Sequence, residues 1–160
     1  MVNSKRLPRG LRNSNPLNIR HSKGYDWQGE VGQDADGFCI FLDNAWGYRA
    51  AFRVLRTYND RHHIYSVREI IRRWAPSKEN DTKSYIARVC NITGLKPQDN
   101  IVAESVNPED RMDAIRLVRA MAMVENGCGE DMLPVEEIER GRYLAFGPPA
   151  PKGGMMYDVR

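Results

Sequence analysis

The side chain best placed by its neighbours to do acid chemistry is Glu125. Along Met112, Ile115, Val118, Met121 and Val124 an apolar face recurs at helical spacing, and Val118, Met121 and Glu125 continue it by i, i+3 and i+7. A carboxyl group thus ends an apolar stripe. An apolar wall disfavours the charged form and raises the pKa, so that the acid can hold a proton to donate near neutral pH. Cleavage of a glycosidic bond needs such a proton for the departing oxygen. The spacing alone equally allows a glutamate that turns outward where its helix frays.

A second chemical feature is the segment RNSNPLNIRH, residues 12 to 21. Pro16 lacks an amide donor and biases Asn15 away from the helical region, so the segment reads as an ordered loop. Asn and Pro serve ordinary turns, but amides and guanidinium forks at this density also suit a polar uncharged ligand such as a sugar or an N-acetyl group. Glu79 in the loop after Trp74, and Glu30, Asp34 and Asp36 in a hairpin, are further carboxylates able to face a cleft. Trp27, Trp74 and Tyr85 offer flat faces for sugar rings, although Trp74 beside Ile70 and Ile71 suits a core equally well. His21, His62 and His63 show no HExxH pattern and have no companion cysteine pair, so neither metal nor cofactor is expected. The chain carries no GxSxG, P-loop or GxGxxG motif.

The elements that must carry these groups follow from punctuation. YDWQGEVGQDADGFCIFL, from Tyr25 to Leu42, reads as a β-hairpin. A helix capped by Asp43 or Asn44 follows, with Trp46, Ala50, Leu55 and Tyr58 inward and the stripe Arg49, Arg53 and Arg56 on one face, as solvated surface or as an anion-binding strip. Ser66-Val-Arg-Glu69 is a capping box for a second helix that stops near Ala75. Asp81 or Thr82 caps a third, ended by Gly94. The fourth has Asn107 as cap, Pro108 at its first position, Glu109 and Asp110 in its first turn, and runs to about Glu125. One more extends from Val135 to roughly Leu144. The expectation is a mainly helical α+β domain with one small hairpin over residues 9–145, followed by a flexible tail, 146–160.

The 160 residues are 41% hydrophobic and 28% charged, ordinary globular usage that excludes a disordered chain, and the net charge of +3 favours an anionic surface without choosing one. Cys39, Cys90 and Cys128 form an odd, unpaired set, as expected of reduced core residues. The amino terminus lacks an apolar signal region and no stretch has the length of a membrane span. A cytoplasmic product, carried to its place of action by a virion, a holin or another apparatus, is the expectation.

Together RGLRNSNPLNIR, WQG, GFCIFLDNAWGYRAAFRVLRTY, VREIIRRWAPSKENDTKSYIARV and AMAMVENG resemble a phage and prophage protein family often labelled virion structural protein or lysin, over roughly residues 9 to 127. That resemblance implies a lysozyme-like fold related to lytic transglycosylases and an attack on peptidoglycan glycan strands. The same stretches are similar to bacterial cell-wall N-acetylglucosaminidases, with Asn15, Asn18, Ile19 and Arg20 matching an Asn-rich segment, Trp27 and Gly29 a tryptophan-glycine pair, and Tyr85 a later tyrosine motif. Those enzymes carry the catalytic glutamate upstream of the Asn-rich segment, whereas here the equivalent is Glu125-Asn126-Gly127 at the other end. A circular permutation would reconcile the two orders and set the Asn-rich loop beside Glu125. The implied site has Glu125 as general acid, with Glu79 and Glu30 as lesser candidates, and Asn15, Asn18, Arg20, Trp27, Asn80 and Tyr85 against substrate. The rivals are a wall endopeptidase and a non-catalytic virion or DNA-binding module using the arginine stripe. A virion or secretion apparatus is a candidate partner for the tail, and no specific nucleic acid is expected under the enzyme reading.

Overall fold

A computed structural model describes residues 7–148 apart from Glu79. The chain enters through a short helix α1 (Arg9–Arg12), passes along the Asn-rich loop, and forms a hairpin of β1 (Glu30–Gln33) and β2 (Cys39–Phe41). Helices α2 (Asn44–His62), α3 (Val67–Trp74), α4 (Thr82–Thr93), α5 (Pro108–Asn126) and α6 (Val135–Phe146) follow, with a 3-10 turn over Glu130–Met132 before the last. This is a mainly helical single domain with one two-stranded antiparallel sheet.

The caps act as their residue types require. Asp43 accepts from Trp46 N, Ser66 from Glu69 N, Asp81 from Ser84 N and Asn107 from Glu109 N, each supplying a first-turn amide with an acceptor. Gly94 and Gly127 close α4 and α5 in the left-handed conformation. Glu30 pairs with Phe41 and Gln33 with Cys39, with a bulge between Glu30 and Gly32. Gly29, at φ +84, precedes β1 where a Cβ would lie 2.5 Å from the Trp46 ring, so both its backbone angle and the close approach of α2 demand glycine.

Helix α2 packs chiefly on α6, and α4 on α5. Tyr48, Phe52, Leu55, Ile70, Ile71, Leu117, Met121 and Ile138 form the centre of one continuous core.

Three expectations change. Helix α5 buries Ala114, Leu117, Val118 and Met121, while Met112 is 48% exposed and Ile115 and Val124 are only partly covered. Contact with α4 on one side and α6 on another turns a broader arc inward than the large-residue stripe indicated. Arg49, Arg53 and Arg56 are half-buried rather than a solvated face: Arg53 donates to the Ala145 carbonyl of α6, and Arg56 pairs with Asp60 and Glu104. Helix α6 runs two residues past Leu144, so Phe146 is helix rather than tail. Of the proposed tail, residues 149–160 lie outside the described residues.

Candidate functional site around Glu125

Glu125 sits in the last turn of α5, where the Asn-rich loop crosses it. The loop is fixed from both sides. Asn126, buried, donates from Nδ2 to the Pro16 carbonyl at 2.8 Å and to the Ala122 carbonyl at 2.8 Å, tying loop to helix end. Gly10 approaches so closely that a Cβ there would lie 2.5 Å from Asn126 Oδ1. From the other side Gly47 of α2 meets the loop, where a Cβ would lie 2.7 Å from the Ser14 carbonyl oxygen.

So held, the loop presents Asn18 in the left-handed region at φ 51, a conformation asparagine tolerates better than most residues. Its Nδ2 donates to Glu125 Oε1 at 3.1 Å across 107 positions of sequence. From α4 the Tyr85 hydroxyl donates to Glu125 Oε2 at 2.9 Å, and the Met121 carbonyl lies 3.4 Å from the same hydroxyl. The Trp74 indole at the end of α3 also favours the charged form of the carboxylate. Three other segments, the Asn-rich loop, α3 and α4, therefore converge on the carboxyl group that α5 carries.

Desolvation raises the pKa of Glu125 above its ordinary value, and the hydrogen bonds from Asn18 and Tyr85 and the nearby Trp74 indole, which favour the anion, only partly offset it. Tyr85 is pushed well above its ordinary value by burial and by the neighbouring Glu125, so it stays a proton donor to that carboxylate.

The other expected site residues fare differently. Asn15 is wholly buried and spends its side chain on the Ile19 amide and carbonyl and the Cys39 carbonyl. It braces the loop against β2, and its assignment to substrate is withdrawn because no polar valence of its amide nitrogen is left to offer. Tyr85 is 7% exposed, so it offers its hydroxyl rather than a stacking face. Arg20 is exposed, with its guanidinium 4.4 Å from the Phe38 ring centroid. Asn80 is exposed and bonds back to the Pro76 carbonyl. Trp27 is partly buried and stands edge-on to Tyr25, with ring centroids 4.8 Å apart. Glu30 is hydrogen-bonded to His21 and the Trp27 amide. Glu79 lies outside the described residues. Asp34 caps the hairpin turn, accepting from Asp36 N, Phe38 N and Asn13.

Two supports escaped the sequence reading. Trp74 read as core or platform, and Asn126 as part of a motif rather than a clamp. The adjacency of Asn126 to Glu125, ahead of a terminating glycine, was the available signal.

A cavity of about 680 Å³ lies between α5 and α6 and is lined by Arg111, Met112, Arg142 and Tyr143 among others. Thirteen helical steps, about 20 Å at 1.5 Å each, separate Met112 from Glu125. Volume and acid chemistry therefore fall at opposite ends of α5, and the polar convergence is the better guide to the site.

The chain is 39% identical over 141 residues to Protein P5 of Pseudoalteromonas phage PM2, a match that covers 86% of this chain and 82% of that protein. It belongs to the Protein P5 family. A phage relationship is thereby shown for most of the chain. No family model matches the chain.

Proposed function

We propose that the chain is a peptidoglycan-cleaving glycosidase of phage or prophage origin in which Glu125 is the general acid. The observation that carries this reading is the desolvated Glu125 carboxyl held between Asn18 and Tyr85. Raised pKa and fixed orientation are what a proton donor to a glycosidic oxygen requires.

The chemistry runs through one group. The Glu125 proton passes to the bridging oxygen as the bond from the anomeric carbon to that oxygen breaks. The resulting carboxylate then removes a proton from the attacking nucleophile, either water or the sugar's own 6-hydroxyl. Tyr85 assists both states, because its O–H can point to the carboxylate when Glu125 is ionised and to the Met121 carbonyl when Glu125 is protonated. A lysozyme-like fold, permuted in order relative to cell-wall N-acetylglucosaminidases, accounts for the amino-terminal loop lying against a carboxy-terminal acid. Glycan strands are the substrate under this reading, and delivery to the wall falls to a virion or lysis apparatus.

Incubation of purified peptidoglycan with the protein, followed by mass spectrometry of the soluble fragments, tests the proposal. Anhydro-muropeptides identify a transglycosylase and new reducing ends a hydrolase. Fragments cut only in the peptide stems, or no fragments at all, would overturn it in favour of an endopeptidase or a binding module.

A further inference from the structure

The hairpin packed against the loop that presents Asn18 also gathers three side chains with no part in the Glu125 chemistry. His21 ends the Asn-rich loop, Glu30 opens β1 and Cys39 opens β2, and one donor atom from each lies within 4.8 Å of the other two. Backbone bonds fix the cluster: Cys39 N donates to the Ile19 carbonyl at 2.9 Å and His21 N to the Gly37 carbonyl at 2.8 Å. Within it His21 Nδ1 lies 2.6 Å from Glu30 Oε2, while Trp27 N donates to Glu30 Oε1 at 3.0 Å. The Glu30 side chain is 5% exposed and that of His21 26%, and Cys39 is wholly buried. A cavity of about 330 Å³, lined by His21 and Glu30 together with Asp26, Val31, Gly32 and Gln33, lies alongside.

We propose that His21, Glu30 and Cys39 form a three-ligand site for a zinc-like divalent cation, with its fourth position facing this cavity. One imidazole nitrogen, one carboxylate oxygen and one thiolate suit zinc, whereas sulfur argues against magnesium and calcium. Thiolate and carboxylate together carry two negative charges, which one divalent cation neutralises in a site too buried for either to stand alone. In tetrahedral zinc sites neighbouring donors stand about 3.3–3.8 Å apart, so the His21–Glu30 pair opens by roughly 1 Å on binding and the thiol releases its proton to solvent. The Trp27 amide keeps its hold on Glu30 as an outer support. Bound there, the cation would staple both hairpin strands to the segment that carries Asn18. No local motif announces the site, because its ligands recur at intervals of nine residues and meet only across the strand pairing.

The test uses the metal-free full chain titrated with cobalt(II) as a spectroscopic stand-in and with zinc(II) under native mass spectrometry. One equivalent per chain is expected, with a thiolate-to-cobalt charge-transfer band, a rise in Tm and reversal by chelator. Cys39→Ser should remove the band, and Glu30→Gln, which keeps size and shape, should weaken binding more than tenfold. A Cys90→Ala/Cys128→Ala double variant should bind like wild type. Absence of a stoichiometric band in the wild type, a band lost only in the double variant, or unchanged affinity in Glu30→Gln would show a hydrogen-bonded cluster and sink the site. The readout is bound metal, so it stands or falls separately from wall cleavage.

Discussion

At the scale of single residues, the Glu125 carboxyl decides the functional reading, and its environment fixes the sign of two effects. Glu125→Gln keeps the shape and removes the transferable proton, so wall clearing should fall by at least about 100-fold, the lower range of general acid catalysis. Turbidity assays on purified walls check this, and near wild-type clearing would remove Glu125 from the mechanism. Stability should move the other way. A pKa raised above the ordinary 4.5 means that the protonated carboxyl stabilises the fold below that value and that this contribution disappears as pH rises through the folded pKa. The melting temperature of Glu125→Gln relative to wild type should therefore increase from acidic to neutral pH, and a relative loss at neutral pH would mark Glu125 as a structural anion. Tyr85→Phe removes a donor to the anion, so the Glu125 pKa should climb further, at about 1.4 kcal/mol per unit. Carboxyl chemical shifts followed by NMR titration would show it.

Elements hold that carboxyl in place through close backbone approaches that leave no room for a side chain. Gly47 lets α2 touch the Asn-rich loop, and an added Cβ would also lie 2.8 Å from Pro16 Cδ. Gly47→Ala should therefore cost about 1–3 kcal/mol by overpacking despite the better helix propensity of alanine. Because the displaced segment carries Asn18, activity should fall further than the unfolded fraction explains, a comparison made by measuring chemical denaturation and wall clearing on the same sample. Asn126→Ala leaves the Pro16 carbonyl without its clamp, and a loss of about 1–3 kcal/mol is expected, the range for a buried polar group left unsatisfied. Unchanged activity in both variants would mean that the loop does not serve the site.

For the whole molecule the controlling contact is α2 against α6. Gly141 sits where a Cβ would fall 2.4 Å from Tyr48 Cβ and 2.9 Å from the Ala45 carbonyl oxygen, and Tyr48 is fully buried. Gly141→Ala gains about 1 kcal/mol in helix propensity but must part the two helices, so a net loss is expected, with Tm falling roughly 2–4 °C for each kcal/mol lost. Thermal melting would settle the sign, and a rise in Tm would show that the helices have slack. The Glu125 carboxyl rests on α3, α4, α5 and the amino-terminal loop rather than on this interface, so the folded fraction of Gly141→Ala should keep its specific activity.

The sequence determined what depends on near neighbours. The caps at Ser66 and Asn107, the narrowing of two others to Asp43 or Asn44 and to Asp81 or Thr82, and the stops at Ala75 and Gly94 rest on backbone chemistry within four residues, and the hairpin on turn residues between two short strands. An acid ending an apolar stripe at Glu125 was legible as a local pattern, but whether it turned inward or outward was not. Tertiary structure decided which amides face that acid. Asn15 and Asn18 are the same residue type three positions apart in one loop, yet one is consumed by β2 and the other reaches Glu125. The arginine stripe looked like surface until α6 covered part of it, and the triad of His21, Glu30 and Cys39 exists only through strand pairing. Burial and hydrogen-bond partnership are properties of what packs opposite a residue, and for these residues the opposing group lies tens to more than a hundred positions away.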